Sequence, residues 1–504
     1  MTHAPGHDRS APSEDPRRRN PSGIPAGHLP LGSRRIASCS LDWSRLGRVL
    51  GVVLAALIVT GCSRSVQIDN LVLVTIDTLR ADHLGSYGYP RPTSPFLDSL
   101  AARGVRFDRA ISASSHTAPS HTSIFTSFYP SQHGVLRNGR LLQEGLPTLA
   151  SILHEAGFDT AGVTSVRFLK GISAGFDTFL APHLGRGYRD ADRTIDVAID
   201  WLGTRTERRP FLLWVHLYDV HHSDPSAATK PALAPHLALM RQDAFERGQS
   251  LGAYLVSEHG TSEELIRDDL DQINRYDAQI RFVDSQLERL FDRVMAATEG
   301  ESTLWILTSD HGEGLGSHEY LGHGKHLYDE QIRVPLIFLG ASIEAEGRVV
   351  ESSVRTVDLL PTIVDLFRLP TPPESARWEG RSLAGLLSAG TFTGEDVPIA
   401  YAERRPVDER RASHGWVDES VHVARDERSK YIRHSAGENE FYDLAADPLE
   451  TKNRAGLGDA REERLARWLD LKIDSLPRSE TSDIEALEVD EEFVEELRSL
   501  GYLD

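Results

Sequence analysis

The chain has 504 residues and an acidic balance, 55 Lys and Arg against 75 Asp and Glu, for a formal net charge of −20. Charge of that sign excludes a surface built for nucleic acid, which rewards clustered Lys and Arg. Two cysteines exclude a disulfide framework, and the length suffices for one large domain, a smaller one and a sizeable core.

In chain order, residues 1–62 comprise a Pro/Arg/Gly-rich segment before residue 40 that reads as disorder and, after it, a lipoprotein-type signal. Arg45 and Arg48 precede an apolar run from Val49 to Thr60, and Gly61-Cys62 closes it. That order of basic, apolar and small residues is the order of a secretory signal, and the run is shorter than the roughly 20 residues a spanning helix needs. Val59-Thr60-Gly61-Cys62 resembles the bacterial lipobox. The resemblance implies a lipid on Cys62 and a membrane-anchored chain facing the periplasm. A short anchor without lipid is the alternative.

Leu71 to Ile76 is a continuous apolar run, suited to a strand buried on both faces, and Asp77 stands at its carboxyl end. Ser94-Pro95 opens a helix that closes near Gly104. Pro119-Ser120 read as the first turn of a helix carrying Ile124, Phe125 and Phe128, with Thr117 just before it. A hydroxyl at a helix mouth faces free backbone N–H groups and suits a tetrahedral anion; an ordinary capping threonine is the plainer reading. Helices follow near Thr148 to Ala156 and Asp190 to Leu202.

Phe211 to Leu217 is a second buried-strand pattern, with Asp219, His221 and His222 beyond it. A polar, Ala/Pro-rich insertion runs from Asp224 to about Ser262, then a long helical pattern from Glu263 to Ala297. Thr303 to Thr308 is a third strand ending at Asp310-His311-Gly312, and Val334 to Leu339 a fourth, after a loop with His318, His323, Lys325 and His326. Strands alternating with helices predict an α/β fold, a mixed sheet covered by helices on both faces, whose ligands bind beyond the strands' carboxyl ends. Asp77, Asp219 and Asp310 occupy such ends. Asp77, Asp310 and His311 would hold one divalent metal, with the Thr117 hydroxyl filling an open position and activated there. A nitrogen ligand favours Zn²⁺ or Mn²⁺ over Ca²⁺, and His323 or Asp219 is a candidate for a second ion.

Four segments together resemble the sulfatase family of the alkaline-phosphatase superfamily: NLVLVTIDTLRADH from Asn70, TAPSHTSIFTS from Thr117, YPSQHGV from Tyr129 and SDHGEGLGSHEYLGHGKHLYDEQIRVP from Ser309. Val357 to Thr362 and Tyr442 to Asn453 agree with later family motifs. The resemblance implies an alkaline-phosphatase-like catalytic domain over 68–367, a smaller C-terminal subdomain over 368–475, with an antiparallel sheet and a helix, and an acidic helical tail over 476–504. By position it implies that Asp77 and Asp310 are metal aspartates, Thr117 the nucleophile, and His221 and Lys325 groups that bind the ester or assist the leaving oxygen. It also places His121 where the family pattern C/S-x-P-x-R has arginine. Threonine cannot become the formylglycine aldehyde of a true sulfatase, Thr78 replaces a second aspartate, and His311 an asparagine. Those departures resemble the phosphodiesterase and phosphoethanolamine-transferase branches, which form a phospho-threonine. The expected activity is a metal-dependent hydrolase or transferase on small-molecule, glycan or lipid-borne anionic esters, favouring phosphate-type esters. A sulfuric ester hydrolase with an unmodified site and a non-catalytic binding lipoprotein are the alternatives.

Overall fold

The computed structural model describes residues 68–182, 188–221, 230–299, 301–340, 343, 347–388, 398–405 and 419–476. The expected leader with Cys62, His222 and the expected tail from 477 onward lie outside these residues. Among the described residues no helix is long and apolar enough to cross a membrane.

Among the described residues, eleven strands precede the C-terminal sheet: β1 (Asn70–Ile76), β2 (Val105–Ile111), β3 (Asp159–Thr164), β4 (Thr178–Leu180), β5 (Phe211–Leu217), β6 (Thr303–Thr308), β7 (Gly314–Leu315), β8 (Leu321–Gly322), β9 (Arg333–Gly340), β10 (Arg348–Val350) and β11 (Val354–Arg355). Nine of them make the main sheet, in the order β10-β2-β9-β6-β1-β5-β3-β4 with β11 also on β2. β1 lies parallel between β5 and β6, whereas β9 runs antiparallel to both β6 and β2, so the sheet is mixed as expected. β7 and β8 form a small hairpin of their own.

Side chains alternate across a strand, and each run of apolar residues therefore feeds two cores. Val72, Val74 and Ile76 of β1 pack with residues of the helix Glu263–Ala297, while Leu71 and Leu73 pack on the other face with Ile124 and Phe125 of the helix Thr117–Thr126. The same split runs through β5, with Leu213 and Val215 on one side and Leu212 and Trp214 on the other. Strands fully covered on both faces are thus continuous apolar stretches rather than alternating ones.

The described part of the Asp224 to Ser262 insertion folds as two helices, Ala234–Arg247 and Gln249–His259. Leu237, Met240 and Ala244, then Leu251 and Leu255, bury into the first core. Their helical spacing is a signal that the Ala/Pro-rich composition obscured.

The smaller sheet is antiparallel, β12 (Ala400–Arg404), β13 (Val421–Arg425), β14 (Ser429–His434) and β15 (Glu440–Asp443), backed by the helix Ala460–Ser475. Leu383, Leu386 and Leu387 instead join the core of the main sheet, because their apolar side chains find cover beneath the helix Leu359–Leu366.

Candidate active site

β1 and β6 lie side by side with Thr75 opposite Thr308, so Asp77 and Asp310 leave the sheet at one edge. Their carboxylates and the His311 ring offer three ligand atoms within 4.8 Å of one another, all buried. Gly312 makes this turn possible: a Cβ there would lie 2.1 Å from the Glu330 carbonyl oxygen. Gly312 N–H also donates to the Gln331 carbonyl at 2.9 Å.

Thr117 is the first helical residue, with His116 as its N-cap, so Pro119 falls within the first turn rather than opening it. Proline is tolerated there because first-turn N–H groups lack intrahelical acceptors. The Thr117 hydroxyl is not spent on a cap and stands 3.3 Å from His311 Nε2. The helix mouth is less open than expected, however. Ala118 N–H donates to Asn138 Oδ1 at 2.8 Å, Pro119 has no N–H, and Ser120 N–H donates to the His116 carbonyl at 3.0 Å. An anion next to Thr117 therefore gains little from the N–H groups of residues 118–120 and draws on side chains from other elements.

Hydrogen bonds settle two tautomers. Trp214 Nε1–H donates to Thr75 Oγ1 at 3.0 Å, leaving the Thr75 hydroxyl to donate to His121 Nε2 at 2.9 Å. His121 Nδ1–H then donates to the Thr117 carbonyl at 2.8 Å. Both ring nitrogens of His121 are engaged in holding the backbone under the hydroxyl. His311 Nδ1 lies 2.9 Å from the Gly312 carbonyl and donates to it, which turns the Nε2 lone pair toward Asp77, Asp310 and Thr117.

Burial dominates the electrostatics. It pushes the Asp77 carboxyl well above its usual value, partly opposed by a hydrogen bond with Thr117. Burial, then the neighbouring Asp77 charge, raises Asp310 to about 7. Burial lowers His311 to about 4 and His121 to about 3. Asp77 Oδ1 and Asp310 Oδ2 are buried and receive no hydrogen bond. Two orphaned carboxylate oxygens beside an imidazole lone pair suit a divalent cation, since buried polar atoms are otherwise almost always paired.

Sequence reading missed two neighbours, His216 and Glu313, and read a third, Thr78, only as the replacement of an aspartate. His216 Nε2 lies 3.2 Å from Asp77 Oδ2. Glu313 is buried, and its carboxyl is pushed well upward by burial and then by Asp77. Thr78 sits at φ 55° with its buried hydroxyl unpaired, an unusual backbone for a β-branched residue. His216 falls inside an apolar strand and Glu313 inside a glycine-rich turn, where neither is distinguished by local pattern.

His221 Nε2 lies 2.8 Å from His323 Nε2, and the His323 ring packs against His311, tilted by 33° with centroids 4.4 Å apart. His323 Nδ1–H donates to the Ser115 carbonyl at 3.1 Å. The pair thereby joins the loop before Thr117. Lys325 stands two residues beyond His323, its Nζ 5.6 Å from the Tyr320 ring. His318 turns away, stacking on Tyr328 and bonding Glu330. Asp219 is buried near Asp190 and receives a bond from Ala191 N–H; it lines a separate cavity with Lys230 and Gln279.

A family model described as Sulfatase matches residues 69–369, more than half of the chain. The chain belongs to the sulfatase family. The Delta 4,5-hexuronate-2-O-sulfatase of Bacteroides thetaiotaomicron is 25% identical to this sulfatase-family chain over 420 residues, covering 77% of it and 84% of the relative. A multifunctional alkaline phosphatase superfamily protein of Trinickia caryophylli is 24% identical over 483 residues, covering 77% and 91%. The phosphonate monoester hydrolase of Agrobacterium radiobacter shares the fold, with a TM-score of 0.61 at 23% identity over 81% of this chain and 95% of that one. These relatives bear out the resemblance read from the motifs and the alkaline-phosphatase-like fold. The protein is an ester hydrolase of this family, and the family implies a divalent metal, for which Asp77, Asp310 and His311 are a candidate ligand group.

Proposed function

We propose that this sulfatase-family protein hydrolyses, or transfers from, phosphate- or phosphonate-type esters with Thr117 as nucleophile, in preference to sulfate esters. The observation that carries the reading is the 3.3 Å approach of the unmodified Thr117 hydroxyl to His311 Nε2, beside two unpaired carboxylate oxygens. Threonine lacks the chemistry for a formylglycine aldehyde, so attack falls to its own hydroxyl oxygen. The relatives include both a sulfatase and a phosphonate monoester hydrolase, and both ester types fit a tetrahedral anion site.

Asp77, Asp310, His311 and the Thr117 hydroxyl would hold the ion, Zn²⁺ or Mn²⁺ rather than Ca²⁺ on account of the imidazole. When bound, it supplies Lewis-acid charge beside the hydroxyl and the ester oxygens. The chain's own groups do the rest. His121, through the Thr117 carbonyl, keeps the hydroxyl aimed. Thr117 Oγ gives up its proton to solvent water and bonds to phosphorus as the bond from phosphorus to the ester oxygen breaks, and the departing oxygen takes a proton from His221 or Lys325. Water or an acceptor hydroxyl then displaces the phospho-threonine, releasing phosphate or the transferred ester and restoring Thr117. With the Ala118 N–H committed to Asn138, His221 and Lys325 bind the remaining anionic oxygens. The substrate is a small, glycan-borne or lipid-borne anionic ester, met by a chain anchored to the membrane through a lipid on Cys62 and facing the periplasm.

The test is a panel of p-nitrophenyl sulfate, phosphate, phosphodiester and phosphonate esters, with substrate trapping followed by peptide mass spectrometry. Faster turnover of a phosphorus ester and a phosphoryl adduct on Thr117 are expected. Aryl sulfate cleavage above every phosphorus ester would replace this reading with an unmodified sulfuric ester hydrolase. Absence of any turnover in metal-loaded protein would favour a binding lipoprotein.

A further inference from the structure

A second group of metal-ligating side chains lies outside the Thr117 site. Asp82, His83 and His259 bring one ligand atom each within 4.8 Å of one another. His83 belongs to the short turn Ala81–His83 after β1, and His259 ends the helix Gln249–His259. Both rings are buried, while the Asp82 side chain is 31% exposed.

His83 is built as a ligand would be. Its Nδ1–H donates to Asp277 Oδ1 at 2.7 Å, and Asp277 Oδ2 is itself held by Tyr89 Oη at 2.7 Å and Arg91 Nη1 at 2.6 Å. A carboxylate behind one ring nitrogen orients the other and raises its basicity, as in carboxylate–histidine–zinc arrangements. The other ring nitrogen, His83 Nε2, pairs with His259 Nδ1 at 3.3 Å. Two imidazole nitrogens about 2.05 Å from a tetrahedral zinc ion would lie about 3.3–3.4 Å apart, which matches this separation. Asp82 Oδ2 is 3.9 Å from His259 Nδ1, about half an ångström beyond a tetrahedral edge and within reach of a small side-chain rotation. Arg80 already holds Asp82 through Nε at 2.9 Å and Nη2 at 2.6 Å, but a carboxylate has about four acceptor sites and can serve both. His259 and Asp82 line a cavity of about 560 Å³ that also includes Arg80, Glu258 and Asp329, which gives an ion and its water a way in.

We propose that Asp82, His83 and His259 bind a zinc-type divalent cation at a site distinct from Asp77, Asp310 and His311. The ion fastens the loop after β1 to the end of the helix Gln249–His259. That loop leads back to Asp77 through Arg80, whose backbone N–H donates to Tyr276 Oη at 3.0 Å while Tyr276 Oη donates to the Thr78 carbonyl at 2.8 Å. The site therefore braces a catalytic loop instead of touching substrate.

The experiment uses untagged full-length protein, stripped with chelator and titrated with Co²⁺, read by visible absorption, metal per chain and thermal unfolding. In Asp310→Ala, which disables the first ligand group, Co²⁺ should still bind with the intense absorption of a tetrahedral site and raise the Tm. Adding His259→Gln or Asp82→Asn should weaken that binding by at least about 10-fold and abolish the Tm shift. Asp310→Ala that binds no Co²⁺, or double variants that bind it as tightly, would overturn the proposal. Should His259→Gln fail to fold, Asp82→Asn, at the exposed rim, decides the matter alone.

Discussion

His216 Nε2 and Asp77 Oδ2 stand 3.2 Å apart across the parallel pair of β1 and β5. His216 is buried, and burial lowers its ring to about 4, so a neutral imidazole donates Nε2–H to the carboxylate. That bond occupies one oxygen of Asp77 and leaves Oδ1 to face Asp310 and His311. His216→Ala should lower metal affinity and kcat/KM by about 10–100-fold, the usual cost of losing a partner behind a ligand. His216→Gln, which keeps an N–H donor, should recover part of both. Metal affinity by competitive chelation, measured beside the kinetics, checks this; unchanged affinity in His216→Ala would refute it.

Removing a direct ligand should cost more. Asp310→Ala is expected to lose the ion of this site and nearly all turnover together, and chelator treatment of the wild type should do the same reversibly. A variant with full metal content and a near-normal rate would sink the assignment.

At Thr117 the contrast between two substitutions is informative. Thr117→Ser keeps a hydroxyl and should retain part of the activity, whereas Thr117→Ala should lose most of it. Activity surviving in Thr117→Ala, with Ser114, Ser115 or Ser120 essential, would move the nucleophile to one of those serines.

Stability should depend on pH through the hairpin of the smaller sheet. His434 Nδ1 lies 3.1 Å from Glu419 Oε1 and its Nε2 2.8 Å from Glu440 Oε1. Burial opposes the imidazolium, but these two carboxylates outweigh it and raise the ring above its ordinary value. A raised histidine contributes stability fully below the unfolded value, near 6.5, and loses it as pH rises through the folded value. The wild-type Tm should therefore fall relative to that of His434→Gln as pH rises above about 6.5. Identical profiles for the two proteins would contradict this.

The proposed anchor is tested at Cys62. Cys62→Ser should leave unprocessed or soluble protein, while the wild type should yield a mature chain beginning at a lipidated cysteine. An unmodified Cys62 internal to the mature protein excludes the lipid.

Much of the fold was legible because it is written in short-range pattern. β5 and β6 coincide with their apolar runs, and the helix Glu263–Ala297 with its periodicity. Asp77 and Asp310 were visible as chemistry at strand ends, and the motifs around them named the family. Thr117 and His311 were legible with them, but several of the residues packed around them were not. His216 reaches Asp77 only because β5 pairs with β1 in a particular register, and Asp219, equally close to a strand end, turns into another cavity instead. Asn138 takes the Ala118 N–H from a loop twenty residues on, and His83 meets His259 across 176 residues. Periodicity and end position are properties of neighbours in the chain, and the sequence by itself determined those. Strand order, register and side-chain direction depend on how both faces of the sheet are covered at once, so only the tertiary structure decided which polar groups share a site.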